Sequence, residues 1–271
     1  MLFMANEFPQ VVTIAGSDSD GSAGLQADLS TFFTRHVHGM SIVTACVAGN
    51  SYGIQAATAM PTDFIDQQFT SLADDFDIRA SKTGMLADAS LINNVVANYQ
   101  RVNFGPLVVD PVIVTKHGAL LLEAEAFETL RERLLPLATV ITPNFYEAEK
   151  LTDRTLKTDA DVISAAHQLQ KMGAKNVIVK GKHADTTQSV VRDFVLLENG
   201  DHFWLSAPYI QTDHVNGTGD SLSACITAEL GKGASVKDAI TLAKAYVNAA
   251  IANEIAVGHK LGPINHWAFQ D

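Results

Sequence analysis

Short apolar runs alternate with longer segments of helical period along most of the chain, and no other feature narrows the possible folds as far. Residues 11–15, 42–47, Leu107–Val109, 140–142 and 177–179 are strand-length apolar stretches. Between them, residues 61–76, 88–100, 123–135 and 159–172 repeat apolar side chains at helical spacing, as do Leu25, Leu29, Phe32 and Phe33. Gly16 is expected to end the first strand and Gly173 to cap the helix before it. Continuous apolar runs are what strands buried on both faces require. The β-α repetition therefore predicts an α/β fold: a central, mostly parallel sheet flanked by helices on both faces. One exception is local. Residues 194–197 and 202–205 flank Asn199-Gly200, a strong antiparallel hairpin signal, so one edge of the sheet is expected to be antiparallel. The last third is helical, over residues 221–230 and 235–256, with Ala239, Ile240, Ala243, Val247 and Ala250 on one stripe.

The chain has 271 residues, 47% of them apolar and 18% charged, which suits one large globular domain over residues 1–271. No internal repeat or linker-like stretch divides it. With 19 Lys and Arg against 30 Asp and Glu, the chain is a poor candidate for nucleic acid, whose backbone needs clustered positive charge. Cys46 and Cys225 are too few for a disulfide framework and read as buried small residues in a reduced compartment. No run reaches the ~18 apolar residues of a membrane span, and the first ten residues lack the features of a signal peptide. A soluble cytoplasmic protein is expected.

The stretch richest in chemistry is Asn216-Gly217-Thr218-Gly219-Asp220-Ser221, followed at once by an apolar helix. Two glycines allow a tight turn and close backbone approach to a ligand. The helix start adds N–H donors and the positive end of a dipole. Together they make an anion hole suited to phosphate, and Asp220 in the same turn can take a proton from a hydroxyl. Taken alone, Asp220 could equally cap the helix. The ends of other strands shift the balance, because open α/β sheets bind ligands beyond the carboxyl ends of their strands. Gly16-Ser17-Asp18, Asp110, Thr142-Pro143-Asn144 with Glu147, and Lys180-Gly181 each follow an apolar run. Parallel strands would bring them to one edge. There Asp110, Asn144 and Glu147 could bind Mg²⁺ directly or through water, and Lys180 could offset phosphate charge. There is no P-loop, nucleophile elbow or zinc motif, and Asp18-Ser19-Asp20-Gly21 lacks the later ligands of a calcium loop.

The chain resembles the ribokinase-like superfamily, in the branch of hydroxymethylpyrimidine (phosphate) kinases and related bacterial pyridoxal kinases. The resemblance rests on Thr13-Ile14-Ala15-Gly16-Ser17-Asp18, Gly24-Leu25-Gln26-Ala27-Asp28, Lys82-Thr83-Gly84-Met85-Leu86, Val109-Asp110-Pro111-Val112, Thr142-Pro143-Asn144 with Glu147-Ala148, Val179-Lys180-Gly181, Gly217-Thr218-Gly219-Asp220 and Gly262-Pro263. It implies an ATP- and Mg²⁺-dependent kinase, a homodimer, that phosphorylates the hydroxymethyl group of a small heteroaromatic alcohol, with no nucleic-acid or membrane partner. It makes Asp220 the catalytic base and Gly217, Thr218 and Gly219 the anion hole. Asp110, Asn144, Glu147 and Lys180 become ATP-side residues, with Asp110 and Glu147 at the metal, partly through water. Gly16, Ser17, Asp28, Gly49 and Met85 become substrate-side residues, and Thr115, Lys116 and His117 part of a flap that excludes water. Two departures bear on the substrate. Gly49 stands where pyrimidine kinases of the branch carry Gln, within Thr44-Ala45-Cys46-Val47-Ala48-Gly49-Asn50, so an amide partner for an aminopyrimidine is missing. Asp220 stands where the branch commonly has Cys. With Thr115 in place of a flap cysteine, oxygen-base chemistry is favoured. Both departures favour vitamin B6 (pyridoxal, pyridoxine or pyridoxamine) as the substrate. The alternatives are hydroxymethylpyrimidine or its phosphate and, in a different class, a nucleotide- or vitamer-binding regulator without turnover.

Overall fold

The computed structural model describes residues 8–113, 122–182 and 187–269. Nine strands form one sheet: β1 (Gln10–Asp18), β2 (His38–Asn50), β3 (Gly53–Ala59), β4 (Ala80–Thr83), β5 (Leu107–Val109), β6 (Val140–Ile141), β7 (Asn176–Val179), β8 (Val190–Leu196) and β9 (His202–Pro208). Their spatial order is β3-β2-β1-β4-β5-β6-β7-β8-β9. The pairs from β2 to β7 are parallel. The β8–β9 hairpin continues the sheet antiparallel from β7, as the Asn199-Gly200 turn predicts. The opposite edge is antiparallel as well, because β3 folds back on β2. That second edge has no counterpart in the sequence reading.

Helices cover both faces. α2 (Thr62–Ala73), α3 (Ala89–Arg101), α4 (Ala124–Thr129), α5 (Phe145–Thr152) and α6 (Asp159–Lys171) lie on one face, and α1 (Gly24–Thr34), α7 (Thr218–Gly231) and α8 (Val236–Ala252) on the other. Strand alternation supplies both cores. Leu107 and Val109 join Phe69, Leu91 and Leu169 on the first face, while Val108 between them meets Ile226, Ile240 and Tyr246 on the second. Each fully buried side chain of this size contributes about 1.5–3 kcal/mol.

Some boundaries differ from expectation for local reasons. β1 does not stop at Gly16. The register with β2 shifts between Ala15 and Gly16, so a bulge absorbs the irregularity and pairing continues to Asp18. The helix expected over 123–135 is α4 followed by a wider turn over Leu130–Leu134 and a tight one over Leu135–Leu137. Pro136 donates no backbone N–H and cannot extend an α-helix. α8 stops at Ala252 rather than 256, where Asn253 leaves helical geometry. Cys225 is buried as expected, but Cys46 is exposed on β2, because β3 covers only the edge of that strand and not its face. Among the described residues no helix is long and apolar enough to cross a membrane.

Candidate active site

The carboxyl ends of β1, β4, β5, β6 and β7 meet the start of α7 along one edge of the sheet. α7 packs against α1, β1, β4 and β5. Its N-cap, Gly217, sits at φ +78°, and a β-carbon there would collide with the carbonyl oxygen of Ser22 in the β1–α1 loop. Only glycine takes this left-handed, crowded position without strain. Thr218 closes the turn by donating its hydroxyl to the Val215 carbonyl at 2.7 Å. Gly219 comes next. A β-carbon on it would stand 3.4 Å from both Asp110 Oδ2 and Lys180 Nζ. The turn thus abuts the acid after β5 and the lysine after β7. First-turn N–H groups have no intrahelical acceptor, so this surface can hold an anion.

The charged groups here are arranged as alternating neighbours. Lys180 Nζ lies 3.5 Å from Asp110 Oδ1, which also accepts from the Thr142 hydroxyl at 3.2 Å. Burial works against the charge on Lys180, but Asp110, Glu147 and Asp220 outweigh it and raise its pKa. Burial pushes the Asp220 carboxyl up, with Asp110 adding to the rise and Lys82 and Lys180 opposing it. Asn144 and Glu147 form a capping box on α5. The Asn144 side chain accepts from the N–H groups of Tyr146 and Glu147, and Glu147 Oε2 accepts from the Asn144 N–H at 2.7 Å. Glu147 Oε1 accepts from Ile113 N–H at 2.9 Å. Burial raises this carboxyl to about 7 against the pull of Lys180.

The residues expected on the substrate side divide into three groups. Gly16 and Met85 face each other: a β-carbon on Gly16 would lie 3.0 Å from Met85 Cε. The Ser17 hydroxyl accepts from Gln26 Nε2 at 2.8 Å. Gly49 is farther out, its N–H and carbonyl both held by the Ser19 hydroxyl at 2.9 Å. Asp28 is fully enclosed, so its place is beneath the site rather than on its surface. It pairs with Lys82 Nζ at 2.6 Å and accepts from the Thr13 hydroxyl at 2.5 Å. Lys82 and Thr13 carry no role in the sequence reading. Thr115, Lys116 and His117 lie outside the described residues.

A parallel α/β sheet with a glycine turn, a carboxylate and two lysines at its carboxyl edge has the parts of a phosphoryl-transfer enzyme acting on a small molecule. Residues 18–265 match the phosphomethylpyrimidine kinase family model, and the chain belongs to that family, with the ribokinase-like fold. It is 47% identical over 96% of its length to the hydroxymethylpyrimidine/phosphomethylpyrimidine kinase of Haemophilus influenzae, of which it covers 97%. Among solved structures it superposes on the pyridoxal kinase of Bacillus subtilis in an ADP complex (TM-score 0.87, 36% identity, 96% and 98% of the two chains). It also superposes on that of Staphylococcus aureus with AMP-PCP and pyridoxal (TM-score 0.86, 33% identity, 96% and 94%). The chain is an ATP-dependent small-molecule kinase.

The preference for vitamin B6 drawn from Gly49 and Asp220 is overturned by the higher identity to a pyrimidine kinase. The physical reason is local. Gly49 lacks a single amide in a segment whose polar neighbours Ser17, Asp18, Ser19 and Asn50 already bond to nearby loop residues. One missing side chain does not define a pocket. Whether position 220 holds a carboxylate or a thiol bears on how a hydroxyl would be activated and not on which ring carries it.

Proposed function

We propose that the chain phosphorylates hydroxymethylpyrimidine and then its monophosphate. The observation that carries this reading is the Gly217–Asp220 turn set against Asp110 and Lys180, in a chain 47% identical to a kinase of those two substrates. In the first reaction Asp220 takes the proton of the hydroxymethyl group while its oxygen attacks the γ-phosphorus of ATP. The bond to the β-phosphate oxygen breaks and ADP leaves. The N–H groups of the turn and the Lys180 ammonium stabilise the charge on the transferring group.

The donor set also fits Mg²⁺. Among the described residues no three His, Cys, Asp or Glu side chains converge as metal ligands, and both Glu147 oxygens are taken by backbone N–H groups. That suits an ion held chiefly by phosphate oxygens and water, with Asp110 as its protein ligand and Glu147 reached through water. When bound it neutralises phosphate charge. The reading includes the homodimer that the resemblance implies.

Initial rates on hydroxymethylpyrimidine, its phosphate and pyridoxal, measured side by side as kcat/KM, test the proposal. The pyrimidines should be preferred by at least about tenfold, the low end of what even one methylene-sized contact discriminates. A higher kcat/KM on pyridoxal would overturn it.

A further inference from the structure

Among the described residues, the Asp28–Lys82 pair is the most deeply enclosed ion pair that the reaction just described does not use. Both side chains are fully enclosed. Burying two charges is costly, and replacing such a pair by apolar residues is often neutral or stabilising, so stability alone does not account for the pair. The register of β4 against α7 supplies one. Ala80 on β4 packs with Ala224 and Ala228 of α7 and with Val11 of β1. Side chains two apart on a strand share a face, about 6.6 Å further along. Lys82 therefore points to the same side as Ala80, one step nearer the carboxyl edge. Residues four apart on a helix share a stripe, about 6 Å further along. Asp220 therefore lies on the stripe of Ala224 and Ala228, one turn nearer the helix start. Ala80 itself stands level with the far end of α7, 3.8 Å from a β-carbon on Gly231, and the Lys82 side chain spans the remaining distance toward Asp220: its Nζ would lie 3.8 Å from a β-carbon on Gly84, at the carboxyl edge. α1 fixes the lateral position: Asp28 holds Lys82, and its neighbour Ala27 would lie 3.2 Å from a β-carbon on Gly217.

We propose that Lys82 is a positioning residue for the reaction, an ammonium pinned by Asp28 under the first turn of α7 that keeps the Asp220 carboxylate charged and aimed at the substrate hydroxyl. The inference rests on Asp220 being the base. The charged groups around Asp220 are Lys82, Asp28, Asp110, Lys180 and, behind them, Glu147. Of the two lysines, Lys180 is divided between Asp110 and Glu147, while Lys82 is the foremost opponent of the burial that drives Asp220 toward its neutral form. Burial pushes the Asp28 carboxyl up to about 7 against the pull of Lys82.

Three variants test this by the sign of their effects: Lys82→Met, Asp28→Asn, and the two combined, which removes both buried charges should the first fail to fold. Two readouts are taken. One is kcat against pH for ADP formation. The other is the titration of the Asp220 side-chain carbon by NMR in aspartate-labelled protein. Lys82→Met should move the acid limb of kcat and the Asp220 midpoint up by about one to three pH units, the scale for losing an adjacent opposite charge. The combined variant should show the same rise relative to Asp28→Asn. Asp28→Asn alone should move both down or leave them. If both single variants lower Tm but leave the Asp220 midpoint in place, the pair is structural and the proposal is wrong. If the midpoint rises while the acid limb stays, Lys82 does hold Asp220, but Asp220 is not the base, and the reading of the reaction fails instead.

Discussion

Gly217→Ala separates the backbone demand of the phosphate turn from its side chains. An L-residue at φ +78° costs roughly 1–2 kcal/mol. For a chain of this size each kcal/mol lowers Tm by about 2–4 °C, so the conformational cost alone predicts a fall of about 2–8 °C. The added β-carbon also runs into the Ser22 carbonyl. That neighbour is backbone and cannot rotate away, so the β1–α1 loop and the turn must separate. A displacement of about 1 Å in a positioning group is enough to cost about 100-fold in rate. Gly200→Ala is the control, since it has φ +88° and nothing within 4 Å of the new carbon. It pays the same conformational cost, far from the site. Thermal unfolding and a coupled ADP-release assay on both variants give the comparison. Gly217→Ala should lose more Tm than Gly200→Ala and about 100-fold in kcat/KM, with Gly200→Ala at the wild-type rate. Equal Tm and wild-type kcat/KM in Gly217→Ala would show that the turn does not depend on contact with the β1–α1 loop.

Two further predictions use the same protein. Asp220→Asn should reduce phosphorylation of hydroxymethylpyrimidine by about 100- to 10,000-fold, the range for general-base removal, and phosphorylation of its monophosphate far less. The second nucleophile is a phosphate oxygen already ionised above pH ~6 and needs no proton acceptor; equal losses on both substrates would rule out the base role. His266 is buried against Ser221, 2.9 Å from its hydroxyl, and burial depresses its pKa to about 4. Its folded-state value lies below the unfolded 6.5, so its contribution is present above pH 6.5 and lost as pH falls toward 4. His266→Gln keeps a partner for Ser221 and does not titrate, so between pH 7 and 4.5 its Tm should fall less than that of the wild type; parallel curves would refute the assignment.

The sequence is legible where burial is apolar. Leu107, Val108 and Val109 read as a buried strand and are fully enclosed. The Asn199-Gly200 hairpin also falls where the pattern places it, as do Asp110, Asn144 and Lys180 beyond β5, β6 and β7, whereas Gly16-Ser17-Asp18 lies inside β1. β4 escapes notice because Ser81, Lys82 and Thr83 are polar yet fully enclosed. Pairing within the protein replaces water for Lys82, and hydropathy cannot register that. β3 escapes for the opposite reason. All seven of its residues are exposed, so no buried face imposes alternation on it. Asn144 and Glu147 show how one pattern serves two ends: the spacing that suggests phosphate chemistry is also a helix cap, and the structure shows the cap.

The extra residue where β2 slips past β1, Thr44 between the pairings Ala15–Val43 and Gly16–Ala45, divides each of these strands into two stretches with separate duties. Below it, Ile14 and Ile42 are locked into the hydrophobic interior. Above it, Gly49 sits on a stretch of β2 whose facing is set afresh by the slip, while Ser17 and Asp18 keep the alternation of β1. Substitutions in the upper stretch can redraw the mouth of the site without disturbing the packing underneath.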